Sequence, residues 1–129
     1  MRLLLDAHAL IWAVDEPAKL GSQAAQELQN SANELLLGAG TIWEIAIKVA
    51  LKKLTLSLSF SQWMQQATNN LGLAILPISV AHAHRQIDLP AHHRDPFDRL
   101  LAAQAIEENM TIVSADAVFD QYRAQRLWR

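Results

Sequence analysis

Acidic side chains at four separated places in this chain could together hold a hard cation. In "HHRDPFDRLLAAQA", residues 92–105, Asp95 and Asp98 stand three positions apart at the mouth of an apolar helix. Asp95 suffices as the cap, with Pro96 at the first helical position, so Asp98 is not needed there. Asp6 ends the apolar run "RLLL", Glu44 lies in "TIWE", and Asp116 follows "MTIVS". Each has a plain structural reading. Asp6 could cap the helix that begins near Ala7. "TIWE" has the form of a capping box, with Thr41 as cap and Glu44 reaching back. Asp116 could cap the turn after its strand. Capping acids are normally exposed, however, whereas Glu44 is flanked by Ile42, Trp43 and Ile45, and Asp98 by Phe97, Leu100 and Leu101.

If the four acids converge they repel. At ~5 Å and an effective dielectric of ~20, each pair costs about 3 kcal/mol. Such a cluster persists only when protons or cations neutralise it. An all-oxygen donor set favours Mg²⁺ or Mn²⁺ over Zn²⁺, and two divalent ions would offset four carboxylates. Hard divalent ions in such a pocket serve phosphoryl chemistry by activating water and stabilising charge on phosphate. No serine, cysteine or histidine nucleophile is required.

The elements that must position these acids alternate. Residues 2–5 read as a buried strand ending at Asp6, and "AHALIWAV" as a helix broken near Pro17. Gly21 and Ser22 open a second helix to about Asn30. "NELLLGAG" reads as a strand ending in a glycine turn, followed by the helix "TIWEIAIKVALKK" with Thr41 at its cap. "LTLSLSF" has a strand period but fits an extended linker equally well. Phe60, Trp63, Met64, Ala67 and Leu71 recur at helical spacing up to Gly72. "LAILP" is a strand, "SVAHAHRQI" a helix entered through Ser79, and Asp95 opens a long helix to about Glu108. "MTIVS" is a strand, and "RLW" reads as a last short one. This alternation predicts a three-layer α/β/α fold with a central parallel sheet, whose polar sites lie at the carboxyl ends of the strands. Asp6, Glu44 and Asp116 fall there. A helix leading into a strand is expected to start at the opposite edge, so Asp98 joins them only if its helix begins at the strand ends.

The 129 residues suit one domain, residues 1–129, with one core. At 51% hydrophobic and 19% charged residues, the composition is globular rather than disordered. The absence of cysteine excludes disulfides and thiolate metal sites. A net charge of −2 gives no global signal for a nucleic-acid or membrane partner, although a local basic patch remains open. Asp6 and His8 interrupt the opening apolar run, no cleavage pattern follows, and no stretch reaches the ~18 apolar residues of a membrane span. The expected location is cytoplasmic.

In their order and wording, these motifs resemble the PIN-domain ribonucleases, and among them the VapC-type toxins of bacterial toxin–antitoxin pairs. "LLLDAHALIWAV" is similar to the family's opening strand and first acid, and "TIWEIAIK" to its glutamate segment. "HRDPFDRLLAAQA" and "TIVSADAVFDQY" resemble its two closing motifs. The resemblance covers nearly the whole chain. It implies a PIN-like fold, with Asp6, Glu44, Asp98 and Asp116 as metal-binding catalytic acids and Ser114 and Asp95 in support. It further implies Mg²⁺- or Mn²⁺-dependent hydrolysis of RNA, a homodimer, and inhibition by a cognate antitoxin protein. Two positions depart from the pattern. Ala7 replaces the usual hydroxyl residue after the first aspartate, and Gly38 stands where serine is common. The loss at position 7 would weaken a water-mediated metal contact while leaving all four acids intact.

Other residues admit two readings. Lys48, four after Glu44, could pair with it along the helix, orient it, or meet phosphate. Arg94 and Arg99 flank the "DPFD" turn and could contact RNA phosphates or be solubilising charge. His82, His84, His92 and His93 invite a zinc site, but His82 and His84 are two apart and do not share a helix face, and no cysteine joins them, so zinc is not expected. His8 reads as a packing or supporting residue near Asp6, and Trp12 and Trp43 read as core, with an antitoxin or dimer contact as the second reading. Two functions of other classes fit the acids: a metal phosphohydrolase acting on small molecules, and a non-catalytic phospho-acceptor module. The latter needs a lysine after a late strand, which "MTIVSADAVF" lacks.

Overall fold

The computed structural model describes residues 1–90 and 95–129. Five strands form one parallel sheet: β1 (Arg2–Leu5), β2 (Glu34–Gly38), β3 (Ala74–Leu76), β4 (Thr111–Val113) and β5 (Gln125–Leu127). Their spatial order is β3-β2-β1-β4-β5. Six helices accompany them: α1 (Ala7–Asp15), α2 (Ser22–Leu28), α3 (Ala39–Ala50), α4 (Phe60–Leu71), α5 (Val80–Ile87) and α6 (Pro96–Glu108). Short 3₁₀ turns cover Pro17–Lys19 and Ala117–Tyr122. None of the helices among the described residues is long and apolar enough to cross a membrane.

The central strands read as unbroken apolar runs because both of their faces are covered. Side chains alternate across a strand, so Leu3 and Leu5 enter one core while Leu4 enters the other. Leu35 and Leu37 join the first core and Leu36 the second, in register with β1. The first core is closed by α1, α2, α3 and α4 through Leu10, Ala24, Ile45, Trp63 and Ala67. The second is closed by α6 and the late 3₁₀ turn through Leu101, Ala102, Ala105, Phe119 and Tyr122. There are thus two apolar layers, one on each face of the sheet, where the sequence reading expected one core.

Several local expectations change. Helix α3 starts at Ala39 with Gly38 as its cap, two residues before the expected start. Thr41 is buried within the first turn, so it does not cap, and Glu44 does not close a capping box. "LTLSLSF" is not a strand. It is the linker reading that holds, with Leu54 and Leu56 packed on the core and Ser57 tied to Asp15 by bonds of 2.6 and 3.1 Å. The expected placing of α6 is also reversed. A helix packed against a parallel strand runs opposite to it, so the helix that ends where β4 begins must start at the carboxyl edge. Thirteen residues at ~1.5 Å rise give α6 about 20 Å, against about 10 Å for the three residues of β4. Its first turn, with Asp98, therefore reaches the strand ends.

Tail and second helix are joined by close contact. The carbonyl oxygens of Trp128 and Arg129 accept from Ala24 N at 2.9 Å and Gln23 N at 3.1 Å, filling the open first turn of α2. Gly21 lets the strands of chain meet: a Cβ there would lie 2.3 Å from the Trp128 carbonyl oxygen. Backbone on both sides leaves no flexible group to yield. Gly21→Ala is therefore expected to destabilise the fold by about 1–3 kcal/mol, the usual range for overpacking, measured by urea unfolding. A wild-type midpoint would show that the tail contact is not tight.

Candidate active site

At the carboxyl edge of the sheet lies a cavity of about 450 Å³. Asp6, Glu44, Asp98 and Asp116 all line it, together with Asp95, Lys48, His8 and Trp12. Four acids from four segments of the chain meet at one place, and each arrives by a nameable route. Asp6 is the residue after β1. Its amide continues the ladder to the Val113 carbonyl at 3.2 Å, and its side chain caps α1 by accepting from Ala9 N at 2.8 Å. Asp116 follows β4 and caps the 3₁₀ turn by accepting from Val118 N at 2.9 Å. Asp95 caps α6, its Oδ1 accepting from Phe97 N at 2.8 Å and Asp98 N at 3.2 Å. Capping and cavity lining are not alternatives here, because one carboxylate can cap a helix and still border the pocket.

Glu44 is half-buried, in the second turn of α3, and its Oε2 accepts from Lys48 Nζ at 3.1 Å. Ser114 is fully buried behind the acids. Its hydroxyl oxygen accepts from Asp116 N at 2.9 Å, and its side chain also bonds Asp6. It therefore links the acid after β1 to the acid after β4.

Burial pushes the Asp6 carboxyl above its usual range, and the Glu44 charge adds to the effect; bonds from Ser114 and Ala9 N, and the nearby His8, pull the other way. Desolvation wins. A carboxylate held so needs a proton or a counter-cation. The donor set is all oxygen, which fits a hard divalent ion. Among the described residues, no three acids are yet drawn together as a finished chelate.

Two readings are corrected. Arg99 does not reach toward the cavity: Nη2 donates to the Gln86 carbonyl at 2.6 Å, Nη1 to the Pro90 carbonyl at 2.9 Å, and Nε to Gln86 Oε1 at 3.3 Å. Carbonyls of Gln86, Leu89 and Pro90, at and just past the end of α5, take its donors, so the guanidinium fastens α5 to α6. Trp43 is 66% exposed, not core. Trp12 packs on the first core, half-buried, and also borders the cavity, as does the exposed His8. Their spacing of four on a helix that starts at an acid was the available signal. Arg94, His92 and His93 lie outside the described residues. His82 is buried as part of a capping box, its Nδ1 accepting from Ser79 N at 3.1 Å. Gly38 has a spatial reason as well, since a Cβ there would lie 2.9 Å from Oε1 of the buried Gln104.

The PIN domain family model matches residues 3–125. This chain belongs to the PIN domain family. It is 30% identical to ribonuclease VapC22 of Mycobacterium tuberculosis over 125 residues, which is 96% of this chain and 94% of that protein. The PIN fold is equally plain in solved structures. A structure of VapBC2 from Rickettsia felis, bound to a promoter DNA fragment, superposes with a TM-score of 0.75 at 18% identity, covering all of both chains. DNA-bound VapBC from Salmonella typhimurium gives 0.70 at 16% identity, covering 98% of this chain and 96% of that one. The PIN-like three-layer fold expected from the sequence is the one observed.

Proposed function

We propose that this PIN-domain chain is a divalent-metal-dependent endoribonuclease and the toxin of a toxin–antitoxin pair. The observation that carries the reading is the convergence of Asp6, Glu44, Asp98 and Asp116 on one cavity in a chain akin to a named ribonuclease. These four acids would hold Mg²⁺ or Mn²⁺. When bound, such ions activate water and offset charge on the phosphodiester and its leaving oxygen. The chain's own groups set up that chemistry. Ser114 fixes Asp6 and the Asp116 backbone relative to each other, and Asp95 holds the first turn of α6, which carries Asp98. Lys48 orients Glu44. The relatives solved as VapBC complexes support a protein antitoxin as partner. The reading includes a homodimer acting in the cytoplasm.

The test is cleavage of single-stranded RNA by the purified protein in Mg²⁺ or Mn²⁺, beside small phosphate esters. Cleavage of RNA alone supports the reading. Hydrolysis of the esters without RNA cleavage would favour a small-molecule phosphohydrolase. The Lys48 role has its own test. Lys48→Met is expected to lower cleavage about ten- to hundredfold, the size of a lost charge-assisted hydrogen bond, with Lys48→Arg in between. Equal rates for all three would show that Glu44 needs no such partner.

A further inference from the structure

The cavity carries aromatic groups that the acids' chemistry does not use. His8 is exposed and Trp12 half-buried, and both border it. Their ring centroids lie 5.4 Å apart with planes at 43°. Trp12 is held from behind by Trp128, at 5.7 Å and 57°, while Lys19 Nζ sits 5.8 Å from its ring. Trp12 and Trp128 both pack on the first core. The pair is therefore a braced wall rather than a loose surface group.

We propose that His8, backed by Trp12, is the nucleobase platform of this site: an unpaired base next to the scissile phosphate stacks on it. The proposal rests on the RNA reading above and adds where and how the nucleotide is gripped. Two divalent ions would do no more than offset the four carboxylates, leaving little net attraction for a phosphodiester, so a firm grip near the reacting bond needs other groups. Among the described residues that line the cavity, Lys48 is the one lysine or arginine, and it is paired with Glu44 at 3.1 Å. Stacking uses the face of the base and needs no counter-charge. It is tolerant of base identity but demands a base out of its helix, so it selects single-stranded or bulged RNA. A volume of about 450 Å³ falls in the range of small-ligand clefts, about 300–1,000 Å³.

The experiment measures binding without turnover, in full-length Asp98→Asn protein with Mn²⁺ present. The probes are a short oligoadenylate, the same ribose-phosphate backbone without bases, and an RNA duplex. Adding His8→Ala is expected to weaken oligoadenylate binding about fivefold or more, as for loss of one stacked base. Binding of the base-free backbone and of the duplex should not change, and His8→Phe should restore oligoadenylate binding. Equal losses on oligoadenylate and base-free backbone, or no loss on either, would overturn the platform while leaving the nuclease reading in place. Failure of the wild-type chain to bind or cut any RNA would overturn both.

Discussion

Replacing Asp6 by asparagine is expected to abolish RNA cleavage, by about a thousandfold or more, and at the same time to raise the melting temperature measured without divalent ions. The first effect follows from removing a carboxylate from a site whose proposed ions would contribute several kcal/mol, at about 1.4 kcal/mol per tenfold in rate. The second follows from electrostatics. Burial and Glu44 hold the Asp6 carboxyl above its ordinary value, so the folded state binds its proton more tightly than the unfolded chain does. Between the ordinary value and the raised one, the folded state carries more protons, and stability falls as pH rises through that window. Above the window, an uncompensated charge remains. Asparagine removes it and still caps α1, since Asn and Asp are equivalent caps. The two variants should therefore converge in melting temperature at low pH and separate as pH rises. Loss of activity together with loss of stability would mean that Asp6 serves the fold rather than an ion.

Chelation should have an effect of similar size. Treatment with EDTA is expected to abolish cleavage, and Mg²⁺ or Mn²⁺ should restore it. An ion that binds only the folded state stabilises it by about 2.7 kcal/mol at a hundred times its dissociation constant. For a chain of this length, that corresponds to roughly 10 °C in melting temperature. Mn²⁺ should produce this rise in the wild type and far less of it in Asp98→Asn. Calorimetric scanning with and without Mn²⁺ checks it, and a melting temperature indifferent to the ion would contradict the binding pocket.

Much of this was legible in the residues because the signals were periodic or positional. The runs "RLLL" and "ELLLG" mark strands covered on both faces, and an acid just past such a run stands at the carboxyl edge by topology alone. That is enough to place Asp6 and Asp116. Glu44 was harder. "TIWE" has the form of a capping box, and only tertiary packing, which buries Thr41 and starts α3 at Ala39, removes that reading. Asp98 required the direction of α6, which its packing opposite to the parallel strand it feeds decides. Arg99 was misplaced because its acceptors are carbonyls of α5 and the segment after it, ten or so residues away, and no local pattern announces them. Trp43 shows the limit of reading large apolar residues as core: Ile42 and Ile45 stand beside it in the chain, yet its ring is exposed.

The most direct measurement is crystallographic: grow crystals with Mn²⁺ and collect anomalous data at the manganese edge. The account predicts manganese density inside the cavity, with oxygens of Asp6, Glu44, Asp98 and Asp116 turned toward it. Density absent from that cavity at saturating Mn²⁺, or manganese held elsewhere while these carboxylates stay apart, would contradict it.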